Sequence, residues 1–422
     1  MDEIAQLTVL RGLVPVDVLS AGAGEYNRGF PPDSLDRRSR AVRKIVGRSK
    51  EMAEQKPAAV SRRDFLGVTG ATIAAAAVSS DTKANALSYA GGSTQSQPSS
   101  KRKKIPIGVF DPVYKDVPLD QMIEKVSALG LEAMEIGTGG YPNSYHCPVA
   151  ELLADPAKAK AWKKKFEDHN IRVATLSCHG NPVHPDPKHA ARDAESFQHT
   201  VLLAERLEVP VIVGFSGCPG GSPAETQPNW ITYRWPDEFN DMLKWQWKEK
   251  LIPYWKDAAK FARVHGIKRL AFEMHPNFCV YNPKTLLQLR EAVGEEIGAN
   301  CDLSHLFWQG CDPVEVIHLL GKNGALFHAH MKDTVLYPEN VGKYGVLNFA
   351  FNKEELPESS DTFRAVGYGH SASVWKAILQ AYMDVDYEGI LSIENEDPIL
   401  SGEVGVERAA YVLKNVRNEL LA

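Results

Sequence analysis

From Ile105 onward, short apolar β-rich runs alternate with longer amphipathic stretches, eight times over. That alternation constrains the chain more than any other feature. The runs are Ile105–Phe110, Ala133–Ile136, Arg172–Ser177, Val209–Phe215, Arg269–Glu273, Ala299–Asp302, Ala325–His330 and Gly389–Glu394. Between and after them lie stretches with helical spacing: Leu119–Leu129, Lys158–His169, Ala190–Leu207, Trp247–His265, Pro283–Val293, Pro313–Leu320, Ser373–Met383 and Val404–Leu420. Eight strands, each followed by a helix, predict an α/β fold of the (β/α)8 TIM-barrel type. A doubly wound sheet would carry a glycine-rich phosphate loop after its first strand, and none is present.

The chain ahead of the barrel reads differently. Arg62-Arg63 precedes a weakly apolar run, Val68–Ser80, and Ala84-Asn85-Ala86 then offers small residues at cleavage positions. That order predicts a twin-arginine export signal over about residues 52–86, cleaved before Leu87, and hence a periplasmic or extracellular protein. The run is too short and too rich in Gly and Ala for a membrane span, so no stable membrane anchoring is expected. Residues 1–61 form an unusually long lead before the arginines. Either translation starts at Met52, or the lead is a genuine long basic region. Residues 81–104, ending in Lys101-Arg102-Lys103-Lys104, read as a polar linker. The expected organisation is therefore a largely disordered extension over 1–104 and a barrel over 105–422.

With 44% hydrophobic and 24% charged residues the balance is globular, and the net charge is −5. No basic stripe runs through the body, which argues against nucleic acid as a partner. The six cysteines are scattered and read as small buried apolar residues.

The chemistry falls at strand ends, the catalytic face of this fold. Strand five ends at Glu273 with His275 just beyond, and strand six at Asp302 with His305 beyond. Strand seven supplies His328, His330 and Lys332, and strand eight supplies Glu394. Three carboxylates delivered to one place call for a cation to neutralise them. Three oxygen donors with one imidazole suit Mn²⁺ first, then Mg²⁺ or Co²⁺, with Zn²⁺ behind. His328 and His330 share a strand face, so spacing alone does not choose between them. His179, at the end of strand three, reads as a substrate contact or a structural residue. Lys332, Glu135 and His370 are weaker candidates. Two long connections, Ser216–Leu243 and Thr334–His370, leave strands four and seven on the same face. The first carries Trp230, Tyr233, Trp235 and Phe239, aromatics that could stack on a sugar or simply pack the loop.

On these residues the chain resembles the xylose-isomerase-like superfamily of sugar phosphate isomerases and epimerases, over roughly residues 105–420. The resemblance implies Glu273, Asp302, His330 and Glu394 as ligands of one divalent cation, and selects His330 over His328. It implies Glu273 and Glu394 as the proton-transferring pair and His305 as a substrate-contacting, catalytic histidine. His179, His275, Lys332, Trp308 and His370 are the further expected substrate contacts. Trp308 lies in the segment Ser304–Gly310, which resembles an isomerase/epimerase subgroup.

The implied reaction is proton abstraction next to a carbonyl through a metal-bound enediolate, giving isomerisation or epimerisation of a small sugar. A metal-dependent lyase or dehydratase on a 3-keto-glycoside or inosose is the alternative. A carbohydrate-binding barrel without catalysis is the reading from another class, and an endonuclease IV-type nuclease is disfavoured. The family's arginine six residues past the metal histidine is Leu336 here, and its second glutamate is Cys279. Both departures point away from a simple free ketohexose. No phosphate clamp is evident, and a homo-oligomer is compatible with the family.

Overall fold

The computed structural model describes residues 103–350 and 352–422. The expected export signal and nearly all of the linker lie outside the described residues. Ten strands are described: β1 Ile107–Phe110, β2 Ala133–Gly140, β3 Arg172–His179, β4 Val211–Gly214, β5 Arg269–Glu273, β6 Ile297–Asn300, β7 Leu326–Met331, β8 Asp333–Leu336, β9 Asp361–Arg364 and β10 Leu391–Ile393. Eight of them close into a parallel barrel in the order β1-β10-β7-β6-β5-β4-β3-β2, so β10 is the eighth barrel strand. The expected (β/α)8 TIM barrel is the observed fold. The barrel strands are buried on both faces, which is why they read as near-continuous apolar runs.

The helices begin where the sequence supplies an N-cap followed by proline. Asp155, Asp186 and Asp312 accept backbone N–H bonds at the starts of helices Pro156–Glu167, Pro187–Leu207 and Pro313–Lys322. Asn282 and Thr285 form a reciprocal capping box on Pro283–Val293. An aspartate or asparagine accepts the orphan N–H groups, while the proline at the first helical position loses no hydrogen bond.

Within β7 the side chains divide by parity. Ala329 and Met331 join the large apolar cluster between barrel and helices. His328 and His330 instead turn inward, where both reach Glu135 of β2. Asp302 lies two residues past β6, whose observed span is Ile297–Asn300 rather than the expected Ala299–Asp302.

The second long connection is more ordered than a loop. β8 and β9 pair antiparallel, from Asp333 with Arg364 to Leu336 with Asp361. Helix Pro338–Tyr344 lies between them. The fully buried Asp333 anchors this excursion. Its Oδ2 accepts from the backbone N–H groups of Gly367, Gly369 and His370 and from Trp375 Nε1, at 2.9–3.1 Å. Its Oδ1 lies 2.7 Å from His370 Nδ1 and accepts from Thr334 N–H. Removing that carboxylate strands several buried donors at once. We expect Asp333→Ala to lower stability by about 3 kcal/mol or more, read from the urea midpoint. A loss under about 1 kcal/mol would mean the excursion is held by other contacts.

Candidate metal centre

The centre is assembled from the inside of the barrel outward. Glu135, in the middle of β2, has no exposed surface and sits at the hub of a polar network. It accepts hydrogen bonds from Ser177 Oγ on β3 and from Ser392 Oγ on β10, the latter at 2.7 Å. His328 Nε2 stands 2.7 Å from its Oε2, and His330 Nε2 stands 3.0 Å from the same atom. Burial pushes the Glu135 carboxyl toward its neutral form. The charges and hydrogen bonds of His330 and His328 win, holding it well below the usual carboxylate range.

With Nε2 fixed on Glu135, His330 turns Nδ1 toward the mouth of the barrel. There it lies 3.1 Å from Glu394 Oε2, 3.4 Å from Glu273 Oε2 and 3.9 Å from Asp302 Oδ2. Asn300 Nδ2 sits 3.1 Å from the same nitrogen and donates to Glu273 Oε2 at 3.3 Å. One donor atom each from Glu273, Asp302, His330 and Glu394 falls within 4.8 Å of the other three. These are the four residues expected from the sequence. Asp302 Oδ2 and Glu394 Oε2 are buried without an aligned hydrogen-bond partner, although charged neighbours surround them. Carboxylate oxygens converging on one point, with the Lys332 ammonium beside them, suit a divalent cation with oxygen-rich ligation. If His330 held a cation through Nδ1, Glu135 at its Nε2 would supply the outer support such a site needs.

Lys332 enters the same cluster. Its ammonium is 2.6 Å from Glu394 Oε2, 2.9 Å from Glu396 Oε2 and 3.2 Å from Asp302 Oδ2. Burial alone would lower its pKa, but Asp302 and Glu394 hold it well above the normal lysine value. His305 Nε2 lies 3.2 Å from Glu273 Oε1 and 3.5 Å from Asp302 Oδ2. His179 Nε2 lies 3.2 Å from the other oxygen, Oε2. His275 is tied through Nδ1 to the Pro276 carbonyl at 2.6 Å, and burial together with His305 lowers its pKa to about 3. It is therefore a neutral imidazole whose Nε2 is the remaining acceptor.

A cleft of about 960 Å³ opens above this cluster, and His179, Glu273, His275, Lys332 and Glu394 line it. Three expected contacts, His305, Trp308 and His370, are not among its lining residues. His370 is stacked on Phe307 at 4.0 Å and bonded to Asp333, so it serves the β8–β9 excursion. Trp308 is half-buried and stands outside the cleft lining. It follows His305, which the rings of His275 and Phe363 cover at 4.2 and 5.2 Å. The aromatics of the first long connection are also elsewhere. Trp230 packs edge-on against Tyr281, and Tyr233 and Trp235 are largely exposed. The aromatic wall comes from Phe110, Tyr141, Phe215 and Phe278, which sequence reasoning did not single out. Glu135, only a weaker candidate from the sequence, takes the central place, and an acid inside an apolar strand was the available signal.

The family model described as the xylose isomerase-like TIM barrel matches residues 123–416. The chain belongs to that family. A relative, the uncharacterized protein YfiH of Bacillus subtilis (strain 168), is 34% identical over 305 residues, covering 71% of this chain and 95% of the relative. Among solved structures, the probable 3-DHS dehydratase AsbF of Bacillus anthracis superposes with a TM-score of 0.52 at 15% identity, over 74% of this chain and 99% of that one. The IOLI protein, solved with a bound zinc atom, gives 0.51 at 17% identity, over 75% and 99%. At those identities the likeness is one of fold.

If Glu135 orients the family's metal-site histidine here, Glu135→Gln weakens Mn²⁺ binding by roughly 10- to 100-fold in calorimetric titration. Unchanged affinity in a folded variant would remove that role.

Proposed function

We propose that the chain is a divalent-metal-dependent sugar isomerase or epimerase that moves a proton on the carbon next to a carbonyl. The convergence of Glu273, Asp302, His330 and Glu394, with Glu273 and Glu394 opening on the cleft, carries this reading. A divalent cation held by those four groups would polarise a substrate carbonyl and acidify the neighbouring C–H. Mn²⁺ suits the donor set best, with Mg²⁺, Co²⁺ and Zn²⁺ as alternatives.

The chain's own residues supply the rest. Glu273 Oε2 and Glu394 Oε2 lie 3.4 and 3.1 Å from His330 Nδ1, and these two carboxylates serve as the pair that removes and returns the proton. His305, buried behind His275 and Phe363, supports Glu273 through its contact with Oε1 at 3.2 Å. Lys332 offsets negative charge that develops on the substrate beside Glu394. His179 and His275 present ring nitrogens to hydroxyl groups in the cleft.

Loss of a β substituent instead of reprotonation makes the same chemistry a lyase or dehydratase. Leu336 and Cys279, which depart from the pattern the resemblance implies, point away from a simple free ketohexose. We further propose export by the twin-arginine route to the periplasm or beyond, with residues 1–104 as extension and linker and 105–422 as the working barrel. Small sugars are the proposed partners, and the net charge of −5 disfavours nucleic acid. Among the described residues no helix is long and apolar enough to cross a membrane. A homo-oligomer is compatible with this reading.

The test is proton NMR in deuterated water, with the Mg²⁺-loaded protein and a panel of ketoses, inososes and 3-keto-glycosides. We expect C–H exchange on at least one compound, falling at least about 100-fold in Glu394→Gln. The product separates isomerase from lyase. A metal-loaded protein that exchanges nothing would favour a binding role.

A further inference from the structure

Lys332, Glu273 and Glu394 make the charged floor of the cleft. Lys332 directly follows β7, and its side chain is 2% exposed. The ammonium is caged. Glu394 Oε2 is 2.6 Å away, Glu396 Oε2 2.9 Å and Asp302 Oδ2 3.2 Å, and the centre of the Phe363 ring lies at 4.7 Å.

Two of those three oxygens have a second claim on them. Glu394 Oε2 and Asp302 Oδ2 are also the atoms that face His330 Nδ1, at 3.1 and 3.9 Å. The ammonium therefore stands on oxygens that belong to the four-donor cluster, where a divalent cation and a lysine would repel each other at short range. Glu396 is different. It is not one of the four donors, and its side chain is 55% exposed against 15% for Glu394. Among the described residues, its one ion pair is with Lys332.

The backbone holds the lysine in place. Met331 before it pairs with Ile393 in the barrel register, and Asp333 after it anchors the β8–β9 excursion. With both neighbours fixed, the ammonium moves only by pivoting its own flexible stem. Three carboxylates gathered in a buried place need positive charge to coexist, and a tethered ammonium supplies some of it without any ion. The same charge works against a cation that approaches the cluster, unless another acceptor takes it.

We propose that Lys332 is a tethered counter-cation that competes with a divalent metal ion for Asp302 Oδ2 and Glu394 Oε2, and that Glu396 is the positioning residue that draws the ammonium aside. The pair lets the floor fold before metal is bound and makes the metal more readily exchanged. The inference rests on the reading of Glu273, Asp302, His330 and Glu394 as metal ligands, and adds the two residues that set their affinity.

The experiment is calorimetric titration of Mn²⁺ into the metal-free full chain and three variants at one pH and ionic strength, with a thermal melt of each in chelator and in Mn²⁺. We expect Lys332→Met to bind Mn²⁺ roughly tenfold tighter, because a unit positive charge no longer opposes the ion. In chelator it should melt below the unchanged chain, because the carboxylates have lost their counter-charge. Glu396→Gln should bind roughly three- to tenfold more weakly, since the ammonium is left with Asp302 and Glu394. Glu396→Asp keeps the charge but shortens the reach, and should weaken binding as well, which a purely electrostatic role would not do. Glu396 is exposed, so its two variants remain informative if Lys332→Met fails to fold. Unchanged or weaker binding by Lys332→Met, or a melt in chelator no lower than that of the unchanged chain, overturns the competition. Unchanged affinity in Glu396→Gln or in Glu396→Asp overturns the positioning role. If the unchanged chain binds no Mn²⁺, the metal reading and this inference fall together. If it binds Mn²⁺ and the variants do not differ from it, only the inference falls.

Discussion

The structure of the site depends on one buried carboxylate. Glu135 is sealed inside the barrel and bonded to side chains of β3, β7 and β10. An isolated charge in that position would be prohibitive, so its partners are obligatory. Those partners fix the rotamer of His330, which in turn fixes where the other donors can meet. Breaking one side of such a buried pair typically costs about 3–5 kcal/mol, which makes the network rigid as well as polar. The barrel is thus pinned at its centre by the same group that aims its histidine.

Around that pin, the balance of charge explains the rest of the floor. Glu273, Asp302 and Glu394 repel one another at this range, and Lys332, His305 and His179 share in offsetting them. Against burial, His179 and His305 hold Glu273, and Lys332 and His305 hold Asp302, in the anionic form that ligates a cation. Lys332 also touches Glu396, so it links the floor to the segment after β10. The β8–β9 excursion is held separately through Asp333, so His370 serves the anchoring of a loop while Lys332, one residue before that aspartate, serves the floor.

The cleft owes its shape to backbone as much as to side chains. The two glycines that end β2 bring the Tyr141 N–H onto the His179 carbonyl, and the segment after β5 brings His275 and Phe278 alongside. Cys279 sits in that same segment, with its N–H on the Gly217 carbonyl at 3.0 Å, packed against the loop from β4. A small apolar thiol there closes the contact between two loops, where a glutamate would bring a charge into a buried position.

Periodicity alone determined the barrel, because strands buried on both faces and helices buried on one have different and readable patterns. The four donors were equally legible, since carboxylates and imidazoles at the ends of consecutive strands meet by construction in a closed parallel barrel. Tertiary structure alone decided which groups share a network. Glu135 meets His330 across the barrel, 195 positions away in sequence, and no local spacing encodes that contact. It also decided that the aromatic wall comes from Phe110, Tyr141, Phe215 and Phe278 rather than from Trp230, Tyr233 and Trp235. Aromatic residues in two loops look alike in sequence; only the backbone turns that carry them determine which rings face the cleft.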